Sequence, residues 1–170
     1  MSNKKVLNIV LIVIGALMIL PLFVGFLNFV MQGGGESATT TASLFGDFKY
    51  GSVKDILTEL DKGGYIFYVI AKIATIVGII AAITIAVFAI LKLCGVKADL
   101  AKIEKIVAIV AMAAAAIMVV AMIIFFIAST MSQDVGGGIT VKYFFSGAWG
   151  WYVAFIGACV SGFLSFRAVK

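Results

Sequence analysis

Hydrophobic positions in this chain fall into four long runs that no charged residue interrupts: Val6–Gly35, Ile73–Leu91, Ile106–Gln133 and Tyr143–Phe166. Each supplies the roughly 20 apolar residues with which an α-helix crosses a hydrocarbon core of about 30 Å. Ala111–Ala128 is apolar on every side, which suits lipid or a bundle interior and not a water-facing helix. The pattern predicts an all-α membrane protein, a four-transmembrane-helix bundle in a single domain. The spans are expected at about 6–31, 65–93, 106–131 and 148–166, with outer loops at 32–64 and 132–147. Pro21 falls near the middle of the first span and predicts a kink there, because proline removes one backbone hydrogen bond.

The polar stretches between the runs predict a small β and short-helix extracellular cap. Leu44–Tyr50 is a strand candidate, since Asp47-Phe48-Lys49-Tyr50 alternates polar and aromatic residues. Ser52 reads as the N-cap of a short helix over Val53–Lys62, with Asp55 in the capping-box position. Val53, Ile56, Leu57 and Leu60 share one face of that helix, expected to lie on the bundle or the membrane surface. In the second loop Ile139–Phe145 is strand-like, and Trp149, Trp151 and Tyr152 form an interfacial aromatic belt at the start of the fourth span.

An internal correspondence links the two halves. Gly63-Gly64-Tyr65-Ile66-Phe67-Tyr68-Val69 matches Gly147-Ala148-Trp149-Gly150-Trp151-Tyr152-Val153 in glycine and aromatic positions. Each copy follows a Lys-Tyr pair, Lys49-Tyr50 or Lys142-Tyr143, and further back a triple glycine. The alternative is that any helix start at a membrane surface attracts glycine and aromatics. Duplicated halves would be parallel repeats about an axis along the membrane normal, and they predict that strands from the two outer loops join in one sheet.

Charge then sets an orientation. The net charge is +5, and 12% of residues are charged. Lys4, Lys5, Lys92, Lys97, Lys102, Lys105, Arg167 and Lys170 sit at the termini and the middle turn, against only Asp99 and Glu104. The other loops hold Glu36, Asp47, Asp55, Glu59, Asp61 and Asp134 against Lys49, Lys54, Lys62 and Lys142. Under the positive-inside rule both termini and the middle turn are cytoplasmic, in a multi-pass protein of the cell membrane. The first run is longer than the 7–15 apolar residues of a signal peptide, so it is expected to stay as a helix. The basic excess is a topology signal with membrane lipids as partners. Nucleic acid is not expected, because no basic cluster is interleaved with aromatics.

Candidate chemistry is sparse. The chain has no histidine, and Cys94 and Cys159 cannot supply a tetrahedral metal site. Neither cysteine is expected to be paired. No catalytic residue, cofactor or metal is expected, and the chain is not read as an enzyme. Lys72 is the one charge in the predicted spans that needs explaining; it reads as an anchor that snorkels to the headgroups, or alternatively as a pore charge. Small residues recur every four positions as Gly150, Ala154, Ala158 and Gly162 on the fourth span and as Gly78, Ala82 and Ala86 on the second. Such seams let helix backbones approach, within the chain or between chains. Phe45, Phe48, Tyr50, Tyr143 and Phe144 form a candidate outer contact surface.

The inside termini, the longer first outer loop with strand and short-helix character, the basic middle turn and the short second outer loop together resemble the claudin and peripheral-myelin-protein class of tetraspan proteins. The Trp, Gly-Leu-Trp and paired Cys of that class's first loop are absent; Leu44–Tyr50 occupies their place. No family residue carries over, and the resemblance implies only a barrier or adhesion role. The expected function is a structural, organising one, in which the protein self-associates as a homo-oligomer or binds another membrane protein through its helices and cap. The alternative is a subunit of an oligomeric channel or transporter.

Overall fold

The computed structural model describes residues 3–96 and 100–168. Lys97, Asp99 and Lys170 of the charge pattern lie outside the described residues. In chain order the elements are α1 (Asn3–Leu17), β1 (Gly25–Gly33), β2 (Glu36–Ser43), α2 (Val53–Glu59), α3 (Tyr65–Leu93), α4 (Ala101–Ser129), β3 (Met131–Asp134), β4 (Thr140–Gly147) and α5 (Trp149–Ala168). Four helical segments are long and apolar enough to cross a membrane: Lys4–Leu22, Tyr65–Leu93, Ala101–Ser129 and Trp149–Ala168. They pack together, and a four-strand antiparallel sheet of order β2-β1-β4-β3 covers one end.

The first span is the main correction. Its helix does not run to Met31; α1 ends at Leu17 and passes into a 3-10 turn at Leu20–Leu22, where Pro21 occupies an early position. Proline therefore ends the helix instead of kinking it, because it has no N–H to continue the ladder. The rest of the apolar run becomes the central strand β1. Leu27, Phe29 and Met31 face the bundle, while Asn28, Val30 and Gln32 alternate to the other face, a period of two that an all-helical reading of the run passes over.

Two hairpins build the sheet. Gly33 pairs with Glu36 around Gly34-Gly35, both at positive φ, the geometry of a tight hairpin turn that only glycine adopts freely. The second triple glycine, Gly136–Gly138, turns β3 into β4. β1 then pairs with β4 in register, Phe29 opposite Phe145, so one sheet joins the two hairpins as expected, but through a strand taken from the predicted first span and not through Leu44–Tyr50. The strand order is not that of two equivalent halves. A two-fold axis would exchange β1 with β3 and β2 with β4, whereas here the first strand of one hairpin meets the second strand of the other. The helix starts at Tyr65 and Trp149 do correspond, but Tyr50 lies in a loop and Tyr143 in a strand.

The segment Leu44–Tyr50 is not a strand. It is a looped stretch closed by a single bridge between Phe48 and Gly51. Ser52 then caps α2 through a full capping box with Asp55, as its sequence position predicts. Val53, Ile56 and Leu57 are buried with Leu44 and Phe48 under the sheet.

Side-chain size sorts inside from outside in the bundle. The buried faces carry alanines, among them Ala71, Ala82, Ala111, Ala115 and Ala158, while Ile66, Ile73, Ile80 and Val87 of α3 and Ile103, Val110, Ile117 and Ile124 of α4 are exposed. Lipid is as apolar as leucine, so little hydrophobic gain separates these positions; close packing of small residues does. α3 and α4 each have 29 residues and so run about 43 Å, long enough for the hydrocarbon core and its headgroup regions.

Candidate interaction surface

The sheet divides the aromatic cap residues between two faces. Phe48 is only 5% exposed and meets Phe29 and Phe145 at ring separations of 6.2 and 5.9 Å. It is a core residue and leaves the expected contact surface. Tyr143 and Phe144 are neighbours on β4 and so point to opposite faces. Tyr143 stacks on Phe29 at 6.4 Å and packs against the core, while Phe144 lies on the outward face opposite Val30. Phe45 at 62% and Tyr50 at 52% exposure remain open. The accessible aromatic surface is therefore Phe45, Tyr50 and part of Phe144.

Lys72 lies two turns into α3, and its Nζ sits over the Phe45 ring, 5.4 Å from the centroid. The lysine thus reaches up toward the sheet end, and the ring face supplies a local attraction for the ammonium. Leu44, the residue before Phe45, is fully buried.

The small-residue seams are occupied within the chain. A methyl group added at Gly162 would stand 2.8 Å from the Ala108 carbonyl oxygen on α4. At Gly150 it would stand 2.9 Å from the Gly25 carbonyl at the start of β1, and at Gly78 it would stand 3.2 Å from Ala158 Cβ. Ala154 and Ala158 are buried, as are Ala82 and Ala86, and Gly15 of α1 lies directly against Ala86. These positions bring α1, α3, α4, α5 and β1 together and leave no part of either seam on the surface.

At the end of the bundle away from the sheet, Glu104 is 1% exposed. Its carboxylate pairs with Lys92 of α3 through Oε2 and accepts from Ser165 Oγ of α5 through Oε1 at 3.0 Å. Sequence reasoning placed Glu104 in a basic turn and missed its burial. The signal was its spacing, since Glu104, Ala108, Ala111 and Ala115 fall at helical intervals on the buried face of α4. The other buried helix hydroxyls bond to their own backbones: Thr75 to the Ala71 carbonyl, Ser129 to Phe125 and Ser161 to Ala158.

On the side of α3 and α4 away from α5, three adjoining apolar cavities of about 360, 330 and 220 Å³ form one shallow groove. It runs from Phe67 and Ile124 to Thr84 and Val107, with alanines in its floor. Outside the spans, the Asp55 carboxyl is held below the ordinary aspartate range. The Ser52 hydroxyl that donates to it is the main cause, followed by the Ser52 amide, with Lys54 adding a little against the opposing effect of burial. Among the described residues, no three His, Cys, Asp or Glu side chains gather as a metal site.

Four apolar helices under a sheet shared by both hairpins define a multi-pass membrane protein of tetraspan topology. No protein-family model matches the chain, and no curated protein matches it.

Proposed function

We propose that this protein is a structural component of the cell membrane that organises its surroundings by self-association or by binding a membrane partner. The observation that carries this reading is that the buried hydroxyls and the buried acid of the bundle are consumed, Trp151 Nε1 being the one buried side-chain polar atom among the described residues that stands without a partner. Thr75, Ser129 and Ser161 return their hydrogen bonds to the helix that bears them, and Ser165 and Lys92 are held by Glu104. The space between the helices is filled by alanine, methionine and phenylalanine. Transport needs polar groups free to replace an ion's or solute's water. A sheet that ties both hairpins into one platform, with Phe144 and threonines on it and Phe45 and Tyr50 on the adjoining loop, is suited to contact instead.

Strand and short-helix structure in the first loop, with the second loop joined to it, supports the likeness to the claudin and peripheral-myelin-protein class at the level of topology. The charge pattern supports cytoplasmic termini and an extracellular sheet. The position of Lys72 over Phe45 supports the anchor reading over the pore-charge reading. The test is the oligomeric state of the full chain in native-membrane particles. Defined dimers or larger assemblies, or a stoichiometric membrane partner, are expected; strict monomers without a partner would sink the reading, as would a ring around a hydrated path.

A further inference from the structure

We propose that β2 is a self-complementary edge through which two copies of this chain join their sheets, antiparallel and centred on Thr40. The proposal rests on the self-association reading above and gives it a surface. β2 is one of the two outermost strands, and residues 37–43 read Ser-Ala-Thr-Thr-Thr-Ala-Ser, the same in both directions. Two antiparallel copies in this register set Ser37 against Ser43, Ala38 against Ala42, Thr39 against Thr41 and Thr40 against itself. Every cross-strand pair is then like with like, and Thr with Thr is among the pairs that stabilise adjacent strands. An isologous two-fold contact sets residue i against j and j against i, and the palindrome makes each such pair identical.

Backbone parity allows the same register. The two-residue turn at Gly34-Gly35 makes Gly33 and Glu36 a doubly hydrogen-bonded pair, and such pairs alternate along an antiparallel ladder. Ala38, Thr40 and Ala42 therefore spend their backbone groups on Met31, Phe29 and Leu27 of β1. Ser37, Thr39 and Thr41 turn theirs outward to the free edge. In a pairing centred on Thr40, the outward groups of Thr39 meet those of Thr41 of the second copy, and the reverse. A pairing centred between two residues would have left outward groups facing spent ones.

The edge also lacks the usual guards. β2 holds no lysine, arginine or proline, and its single bulge is on the β1 side between Gly25 and Leu27. The opposite edge, β3, is only four residues long and ends in Asp134. Glu36 is the only charge on β2, and the two copies of it would lie about 27 Å apart, at opposite ends of the junction. Thr39 and Thr41, which carry the outward groups at the centre of the junction, are exposed, while the Ser43 carbonyl at its end is taken by the Gly46 amide. The two-fold axis of such a junction is perpendicular to the sheet. Both helix bundles then hang from the same side of an eight-stranded sheet, which places the two copies side by side in one membrane.

Two sets of variants of the full chain in membranes test this. Thr39→Pro removes an amide that only the second copy would use, so it spares the pairing with β1. It is expected to raise the dimer dissociation constant by about tenfold or more, the weight of one or two net hydrogen bonds. In a Cys94→Ala, Cys159→Ala background, single cysteines at positions 37–43 are oxidised and scored for dimer. Thr40→Cys is expected to cross-link to itself most efficiently, since directly opposed non-bonded residues sit within disulfide reach. Thr39→Cys and Thr41→Cys are expected to cross-link when mixed and poorly alone. A wild-type dimer with no maximum at Thr40, or one indifferent to Thr39→Pro, overturns the β2 junction while self-association stands through another surface. A wild-type monomer overturns both.

Discussion

Lys92, in the last turn of α3, and Glu104, in the first turn of α4, form an ion pair between their helices, and Ser165 of α5 holds the second carboxylate oxygen. One buried acid therefore ties three of the four spanning helices together at the end of the bundle that has no sheet. Glu104 also lies where a helix N-terminus favours negative charge.

Removing Lys92 leaves that carboxylate buried with the Ser165 hydroxyl as its remaining partner. Lys92→Ala is expected to destabilise the bundle by about 1–3 kcal/mol, below the usual cost of breaking a fully buried pair because the lysine is partly exposed. Glu104→Gln in the Lys92→Ala background should recover part of the loss. Reversible unfolding in mild detergent measures both; a double variant as unstable as the sum of the singles would contradict the pairing.

The seam glycines make a second test. Gly162→Val is expected to cost about 1–3 kcal/mol or more, because the new side chain meets the backbone of α4 and Met112. Gly63→Ala, where nothing stands near, should be close to neutral. Equal effects at the two sites would show that the seam is not as closely packed as described.

The capping box of α2 predicts a pH signature. Ser52 hydrogen bonds hold the Asp55 carboxyl low, so their contribution to α2 is present at neutral pH and fades as pH falls through that depressed value. In Ser52→Ala the Asp55 midpoint should move up toward the ordinary aspartate range. Amide chemical shifts of residues 52 and 55 report it, and an unmoved midpoint would remove Ser52 as the cause.

For the contact between Lys72 and Phe45, Phe45→Ala is expected to cost about 0.5–1 kcal/mol. Lys72→Ala should do the same without changing ion leakage from proteoliposomes. A change in leakage would return Lys72 to the pore reading.

The spans and the Ser52 cap were legible because each depends on local composition or short-range spacing. The end of α1 was not. An uncharged apolar stretch suits a membrane helix and a strand paired on both sides equally well, and only the alternation of Leu27, Phe29 and Met31 with Asn28, Val30 and Gln32 distinguishes them. The fate of the aromatic cap depended on that error. Once β1 is a strand, Phe29 needs partners, and Phe48 and Tyr143 are drawn inward to supply them. Glu104 escaped notice because its neighbours Lys102 and Lys105 gave a bland reading of a charged turn, whereas its pairing with Ser165 joins positions 61 residues apart.

The sheet is spliced to the helices with almost no slack. β3 begins two residues after α4 ends, a single residue separates β4 from α5, and β1 follows the 3-10 turn at the end of the first span within three. The platform is consequently not a detachable module. Grafting it onto another bundle would require cuts inside the helices, and any rotation of α4 or α5 about its own axis would be read out directly as a shear between neighbouring strands.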